Sequence, residues 1–372
     1  MKEQNGNLPR FLAYWPVTVL PILLPYFGLA GLHLSPTALS LLVAAYPAAA
    51  VAARLLLVPL ADGLGPRRVF LLGLALFVGS DLAFALFPST AGLFLGRILL
   101  AAAVAGVSVA SLSRLAEQPT GTGQSLGGLN RAAGLGGLLG VLLCFAAMQN
   151  KSLLQGWRQY FLLCALAGAA GLLAAFVGWR PPALPQPDRV RRRMTARQKR
   201  WSLFSGCACL CSGLLAAPLV LYLNQRFHAG LPAVAAAFLA PLLLCALLQP
   251  ALGRLRDRQG HRALRAALLL GGLSIALAPL APSVPLFAAA YMLFQLSAAQ
   301  VQLGADAAFL YSLPAEQQGG LTARYTACVH LGGALGSALG GILFQYGGAS
   351  LPFWACAAGF VLLFFLRFPA KA

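Results

Sequence analysis

Residues 253–262 read G-R-L-R-D-R-Q-G-H-R and lie between two long apolar runs. A degraded copy stands 195 residues earlier, V-P-L-A-D-G-L-G-P-R-R at 58–68, with Asp62 where the later copy has Asp257. Two further landmarks recur in the same order. Gly136-Gly137-Leu138-Leu139-Gly140 matches Gly332-Gly333-Ala334-Leu335-Gly336 at an offset of 196, and Ala116-Glu117-Gln118 matches Ala315-Glu316-Gln317 at 199. Three landmarks at nearly one spacing point to a duplicated unit.

The 372 residues are 59% hydrophobic and 9% charged, with a net charge of +19. Soluble domains carry about 25% charged residues, so water is not the main solvent of this chain. The excess of Lys and Arg falls in short connectors between apolar spans, which argues against nucleic acid as the partner. Spans of about 20 residues cross ~30 Å of hydrocarbon as helix, and helices satisfy their own backbone where lipid offers no partner. A transmembrane barrel would show short alternating segments instead. The expected class is an all-α membrane protein.

Twelve spans are expected, at 11–32, 37–59, 69–88, 90–112, 125–148, 159–179, 202–223, 231–251, 264–281, 285–310, 322–345 and 350–368. They divide into a first six-helix bundle (1–179), a basic, Pro-rich linker (180–201) and a second six-helix bundle (202–372). With the N-terminus inside, 21 of the 27 Lys and Arg are cytoplasmic. Lys151, Arg158 and Arg226 fall outside, and Arg54, Arg97 and Arg131 lie within spans. The charge bias therefore predicts both termini on the cytoplasmic side. The linker, with R-V-R-R-R-M-T-A-R-Q-K-R at its end, is expected to lie on anionic lipid at about 1 kcal/mol per charge; part of it can form an amphipathic surface helix. The first span is too long for the core of a cleavable signal.

The repeated basic stretch resembles the loop signature of the major facilitator superfamily, G-x-L-x-D-R-x-G-x-R. The second copy fits throughout with Gly253, Asp257, Arg258, Gly260 and Arg262. The first keeps Asp62, Gly65, Arg67 and Arg68 but has Val58, Gly63 and Pro66 at other positions. The resemblance covers the whole chain and implies two pseudo-symmetric bundles, a substrate site between them, alternating access, and a cytoplasmic gate at the repeated loop. Departures are specific: Arg97 has Ala101 where many proton-driven members have Gly, the fifth span lacks a Gly-Pro pair, and no acid lies in the first span.

Chemistry at membrane depth is confined to few side chains. Ionisable groups there mark functional sites by default, and the acids in question are Asp81 and Asp306. Asp81 precedes Pro88 by seven residues and Arg97 follows Ser89 by eight. At 1.5 Å per residue both lie roughly 10–12 Å deep on consecutive helices. They are expected to pair, either as a static ion pair or as a proton or anion switch. Asp306 shares a helix face with Gln295 and Gln302; it either lines the cavity the resemblance implies or braces Arg324 and the 256–262 loop. Asn130 and Arg131 are open between snorkelling and anion binding, and His330 between helix contact and proton transfer. Tyr14 and Tyr26 lie on a first span with three prolines, where kinks free backbone carbonyls. Cys207, Cys209 and Cys211 do not share one helix face and the four His are scattered, so no metal or cofactor is expected.

These features support a monomeric secondary transporter of the bacterial inner membrane that uses protons to move a small organic solute, with efflux ahead of uptake. The alternative is a proton symporter importing an organic anion or a metal-chelate (siderophore-type) ligand; a more distant one is a non-transporting scaffold or sensor. An enzyme would need a nucleophile–base or metal constellation, and the sequence shows none.

Overall fold

The protein, seen as a computed structural model, is described over residues 7–115, 122–149, 151–178, 194–310, 312 and 318–366. These residues form helices and turns, with no strand among them. In order they are α1 (Asn7–Ala13), α2 (Trp15–Ala30), α3 (Pro36–Leu64), α4 (Pro66–Leu86), α5 (Thr90–Leu115), α6 (Thr122–Met148) and α7 (Leu153–Gly178), then α8 (Ala196–Gly213), α9 (Pro218–Phe227), α10 (Leu231–Gln259) and α11 (His261–Leu277). A 3-10 turn at Ala278–Leu280 follows, then α12 (Val284–Leu310), α13 (Gln318–Gly347) and α14 (Leu351–Phe364).

Among the described residues nine helical stretches are long and apolar enough to cross a membrane, and three apolar helices are shorter: Ala132–Met148, Pro232–Cys245 and Leu351–Phe364. Leu166, Leu173, Leu203 and Leu247 are each at least two-thirds exposed. So many large apolar side chains on the outside are a lipid-facing surface rather than a wet one. The chain is a multi-pass membrane protein.

Two expected spans are broken. The first bends at Tyr14, where α1 ends and α2 starts with Pro16 in its first turn. Pro16 cannot donate to the carbonyl four residues back and its ring crowds that carbonyl. Pro21 and Pro25 stay inside α2 without ending it, so one of the three prolines accompanies the break. The other interruption separates α8 from α9 at residues 214–217. α8 starts earlier than the apolar run because Thr195 and Gln198 form a capping box: Gln198 N donates to Thr195 Oγ1 at 3.3 Å and Thr195 N to Gln198 Oε1 at 2.9 Å. The end of the expected linker is therefore the first turn of a helix. Residues 179–193 lie outside the described residues.

The chain forms two compact units, 1–33 with 45–190, and 34–44 with 191–372. Each uses the same seam. In the first, a Cβ on Gly136 or Gly140 of α6 would fall on the carbonyl of Phe11 or Trp15. In the second, a Cβ on Gly332, Gly336 or Gly340 of α13 would fall on the carbonyl of Gly206, Leu210 or Leu214. A glycine every fourth residue lets backbones touch where lipid gives no hydrophobic drive to associate. The repeated glycine motif is a packing surface in both units.

A second device is shared with a change of donor. In the first unit Trp157 stacks on Phe27 at 4.0 Å and its indole Nε1 donates to the Phe84 carbonyl at 2.7 Å. In the second, Phe353 packs edge-on against Tyr222 at 4.9 Å, and the Tyr222 hydroxyl donates to the Pro279 carbonyl at 2.9 Å. Phe27, Phe84 and Trp157 stand 195, 195 and 196 residues before Tyr222, Pro279 and Phe353. The acceptor near the end of α4 or α11 is the same; the hydrogen bond has moved from one ring of the pair to the other.

Candidate functional site

The repeated basic stretch is mostly helix. α3 continues to Leu64 and α10 to Gln259, and the chain turns only at Gly65 and Gly260. Arginine is a good helix former, so charge ends the apolar run without ending the helix. Gly65 has φ +80° and Gly260 φ +54°, a region costly for side-chain-bearing residues. That conformation explains the second glycine of the signature in both copies. Gly253 lies inside α10, and a Cβ there would meet nothing within 4 Å, so neither a turn nor a close approach accounts for it.

Around these turns, Arg67 Nη2 donates to the Phe176 carbonyl in the last turn of α7 at 2.9 Å, where a cation also meets the negative end of the helix dipole. In the other copy His261 stacks on Trp201 at 5.9 Å with 8° between rings. Arg68, Arg258 and Arg262 are exposed. Asp62 and Asp257 lie on helical backbone, but their side chains lie outside the described residues, as do those of Asn130 and Arg131.

Asp81 and Arg97 do not meet. Asp81 is fully buried and neither carboxyl oxygen has a hydrogen-bond partner. The Arg97 guanidinium lies 4.8 Å over the Tyr46 ring of α3. The expected pair fails on helical phase rather than on depth. Ser80, one residue earlier, is the α4 residue that faces α5, donating to the Gly96 carbonyl at 2.9 Å. One residue turns a helix by about 100°, which directs Asp81 to α7, where a Cβ on Gly168 would lie 4.0 Å from its Oδ2.

The first unit instead seats Arg97 on Tyr46, which the sequence pattern does not single out, and Arg10 beside Tyr14, which it does. Arg10 is buried with its guanidinium 5.1 Å from the centre of the Tyr14 ring, although its place near the N-terminus counts it with the cytoplasmic charges. Tyr14 packs on Phe77 at 5.2 Å. Tyr46 lies within electrostatic reach of Tyr14, Arg97 and Arg54. The available signal is Arg54 itself, a lone cation in an apolar run two turns beyond Tyr46. Tyr26 is half-buried on α2, twelve residues and roughly 18 Å of helix from Tyr14.

The second unit builds a connected polar site. Gln302 Nε2 donates to Asp306 Oδ1 at 2.6 Å. The Tyr325 hydroxyl lies 2.5 Å from the same oxygen, to which it donates, and 3.0 Å from Ser205 Oγ. Ser205 Oγ accepts from Gln302 Nε2 at 3.0 Å, and Cys209 Sγ lies 3.5 Å from Gln302 Oε1. Helices α8, α12 and α13 thus meet at one carboxylate. The expected Gln302–Asp306 face is joined; Gln295 bonds instead to Tyr291 on its own helix. Tyr325, not Arg324 or His330, is the α13 residue that reaches Asp306. Phe309 stacks on Tyr325 at 4.2 Å and fixes its ring.

The family model described as Major Facilitator Superfamily matches residues 10–205 and 201–372. No curated protein sequence matches the chain. Among solved structures, the human organic anion transporter MFSD10 (TETRAN) is 21% identical with a TM-score of 0.72, covering 98% of each chain. The nucleoside transporter NupG is 12% identical with a TM-score of 0.72, covering 98% of this chain and 97% of its own. A point mutant of the peptide transporter POT, in complex with sulfate, is 14% identical with a TM-score of 0.77, covering 97% of this chain and 92% of its own. At these identities the likeness is one of fold.

Proposed function

The chain belongs to the major facilitator superfamily, and from that premise we propose that it is a proton-coupled secondary transporter that moves a small organic solute by alternating access, with export as its working direction. Family membership makes it a transporter rather than an enzyme. The reading of the energy source rests on Asp306: one carboxylate oxygen holds donors from Gln302 and Tyr325, with Ser205 behind them. An acid that is half-buried and met by rotatable hydroxyls can gain and lose a proton while its neighbours re-pair. Neither carboxyl oxygen of Asp81 has a hydrogen-bond partner.

The remaining parts of the proposal follow from charge and length. Three shorter apolar helices crossing beside the nine long ones make twelve spans, in halves 1–179 and 202–372 joined by a cytoplasmic tether at 180–201 on anionic lipid. Both termini are cytoplasmic, the membrane is the bacterial inner one, and the protein works as a monomer. The repeated turns at Gly65 and Gly260 act as the cytoplasmic gate.

Proteoliposomes with entrapped pyranine test the coupling. A library of small organic solutes is added under an imposed pH gradient and protein-dependent proton movement is read. Wild-type protein is expected to respond to at least one solute, and Asp306→Asn to lose the gradient dependence while still exchanging that solute. Gradient-driven movement at the wild-type rate in Asp306→Asn removes the proton role. No protein-dependent flux of any solute removes the transporter reading, and faster flux under the importing gradient reverses the direction.

A further inference from the structure

We infer that Asp306, with Gln302 beside it, forms a binding site in the second unit for an organic ammonium ion, held through its N–H groups. This names the substrate class of the transporter proposed above and rests on that reading. The cluster is contiguous. Gln302 Nε2 lies 2.6 Å and the Tyr325 hydroxyl 2.5 Å from Asp306 Oδ1, and Ser205 Oγ lies 3.0 Å from each of those two donors. Cys209 Sγ completes it, 3.5 Å from Gln302 Oε1. Ser205 and Tyr325 are buried, whereas Asp306, Gln302 and Cys209 are half-buried. The carboxylate and the amide are therefore the side of the cluster that a solute can reach.

The hydrogens of this cluster are all spent within it. Gln302 Nε2 carries two, which go to Asp306 Oδ1 and Ser205 Oγ. The Tyr325 hydroxyl carries one, given to Asp306. Ser205 has one to give, and Gln302 Oε1 at 3.2 Å and Tyr325 Oη at 3.0 Å are both inside the cluster. The Cys209 thiol gives its own to Gln302 Oε1. What is left over is acceptor capacity. Asp306 Oδ2 receives no hydrogen bond and, unlike both oxygens of Asp81, is not sealed from the surface. The groups around the carboxylate, from α8, α12 and α13, are the neutral hydroxyl of Ser205, thiol of Cys209, amide of Gln302 and phenol of Tyr325. Among the described residues no cation is set against it. An ionised carboxylate at membrane depth without a counter-charge is costly. A ligand able to offset that cost must be positive and must bring N–H groups to Oδ2. A primary or secondary ammonium does both through a charge-assisted hydrogen bond. An anion would meet a negative oxygen and no spare donor.

The experiment is thermal unfolding of the purified full chain in detergent, near neutral pH and at constant ionic strength. Its probes share one ring: benzylamine, benzyltrimethylammonium, benzamide and benzoate. Benzylamine is expected to raise Tm in a saturable way. Benzamide, with N–H groups but no charge, and benzoate, of opposite charge, are not. Benzyltrimethylammonium keeps the charge without an N–H and is expected to bind about tenfold more weakly or worse. No response to benzylamine, or an equal response to any of the other three, overturns the site, and these arms need no variant. Asp306→Asn is expected to lower the affinity for benzylamine by about tenfold or more, and Asp306→Glu, which keeps the charge, to retain part of it. Asp81→Asn should bind as wild type, because that acid is sealed from the surface. Full affinity in Asp306→Asn places the cation elsewhere and overturns the site as well. Binding is read without flux, so the two readings fail separately. Solute transport with no ammonium-selective binding sinks the site alone, and ammonium binding with no transport sinks the transporter reading alone.

Discussion

Asp81 and Asp306 are the same side chain in two related helical units, and the two units treat them in opposite ways. Asp81 on α4 is sealed from the surface with neither oxygen hydrogen-bonded. Asp306 on α12 is half-buried and holds Gln302 and Tyr325 on one oxygen. An ionised carboxylate without a partner would cost several kcal/mol at the first position; the protonated acid is the form that site accommodates. The second position is supplied with donors and can hold a charge. At the 195-residue offset, Asp81 corresponds to Ala276 and Asp306 to Ser111. The glycine seams and the aromatic pairs, by contrast, recur at matching positions. Duplication has carried the scaffold into both units, while each polar site belongs to one of them.

If the scaffold is common, damage to it should be symmetric, and the largest effect tests that. Gly140→Val and Gly336→Val each drive a side chain into a facing carbonyl, of Trp15 and of Leu210. Backbone cannot yield as a flexible side chain can, so each change is expected to cost about 3 kcal/mol or more. The readout is loss of monodisperse protein on fluorescence-detected size exclusion. A large loss from one and a mild loss from the other would mean that the two seams are not equivalent and that the comparison overstates the symmetry.

The aromatic pairs sharpen the same point by exchange. Trp157→Phe removes the donor to the Phe84 carbonyl, and an orphaned buried acceptor costs about 1–3 kcal/mol. In the second unit that bond comes from the ring corresponding to Phe27, namely Tyr222. Adding Phe27→Tyr to Trp157→Phe should therefore restore part of the lost Tm, whereas Phe27→Tyr alone should not stabilise. Additive losses in the double variant would show that the donor cannot be moved.

Much of this frame is legible in the sequence because it rests on properties that a linear pattern carries. Apolar length sets the helices, and fourfold glycine spacing sets the seams. The glycine that ends each copy of the basic stretch sets the turns at Gly65 and Gly260. The Gln302–Asp306 contact is also legible, since residues four apart on one helix share a face. What the sequence does not carry is azimuth between helices. Pairing Asp81 with Arg97 rests on depth alone, and depth says nothing of which neighbour a side chain faces. Tyr325 escapes a linear reading because its distance from Asp306 depends on how α12 and α13 pack. His330, five residues along the same helix, draws attention only through its residue type. The capping box at Thr195 and Gln198 is written in the local sequence but is hidden within a run of basic residues.

The smallest expected effect is the one that most directly separates the two treatments of an acid. Asparagine has the shape of a protonated aspartic acid, so Asp81→Asn should change thermal stability by less than about 1 kcal/mol, in a site with no partner to lose. Arg97→Gln should cost about 1–2 kcal/mol, the worth of a desolvated cation over the Tyr46 ring. Because Asp81 faces α7 and Arg97 faces α3, the double variant should equal the sum of the two within about 0.5 kcal/mol. An ion pair predicts a different pattern. Either single change would strand a buried charge at about 3–5 kcal/mol, and the double variant would recover much of it. Three melting curves beside the wild type decide between them. Recovery in the double variant would put the two side chains in contact after all, in some conformation of the transport cycle, and would return Asp81 to the set of groups able to exchange a proton with Arg97 as its counter-charge. Additivity leaves Asp306 as the one acid of the two whose surroundings are built to respond when a proton arrives.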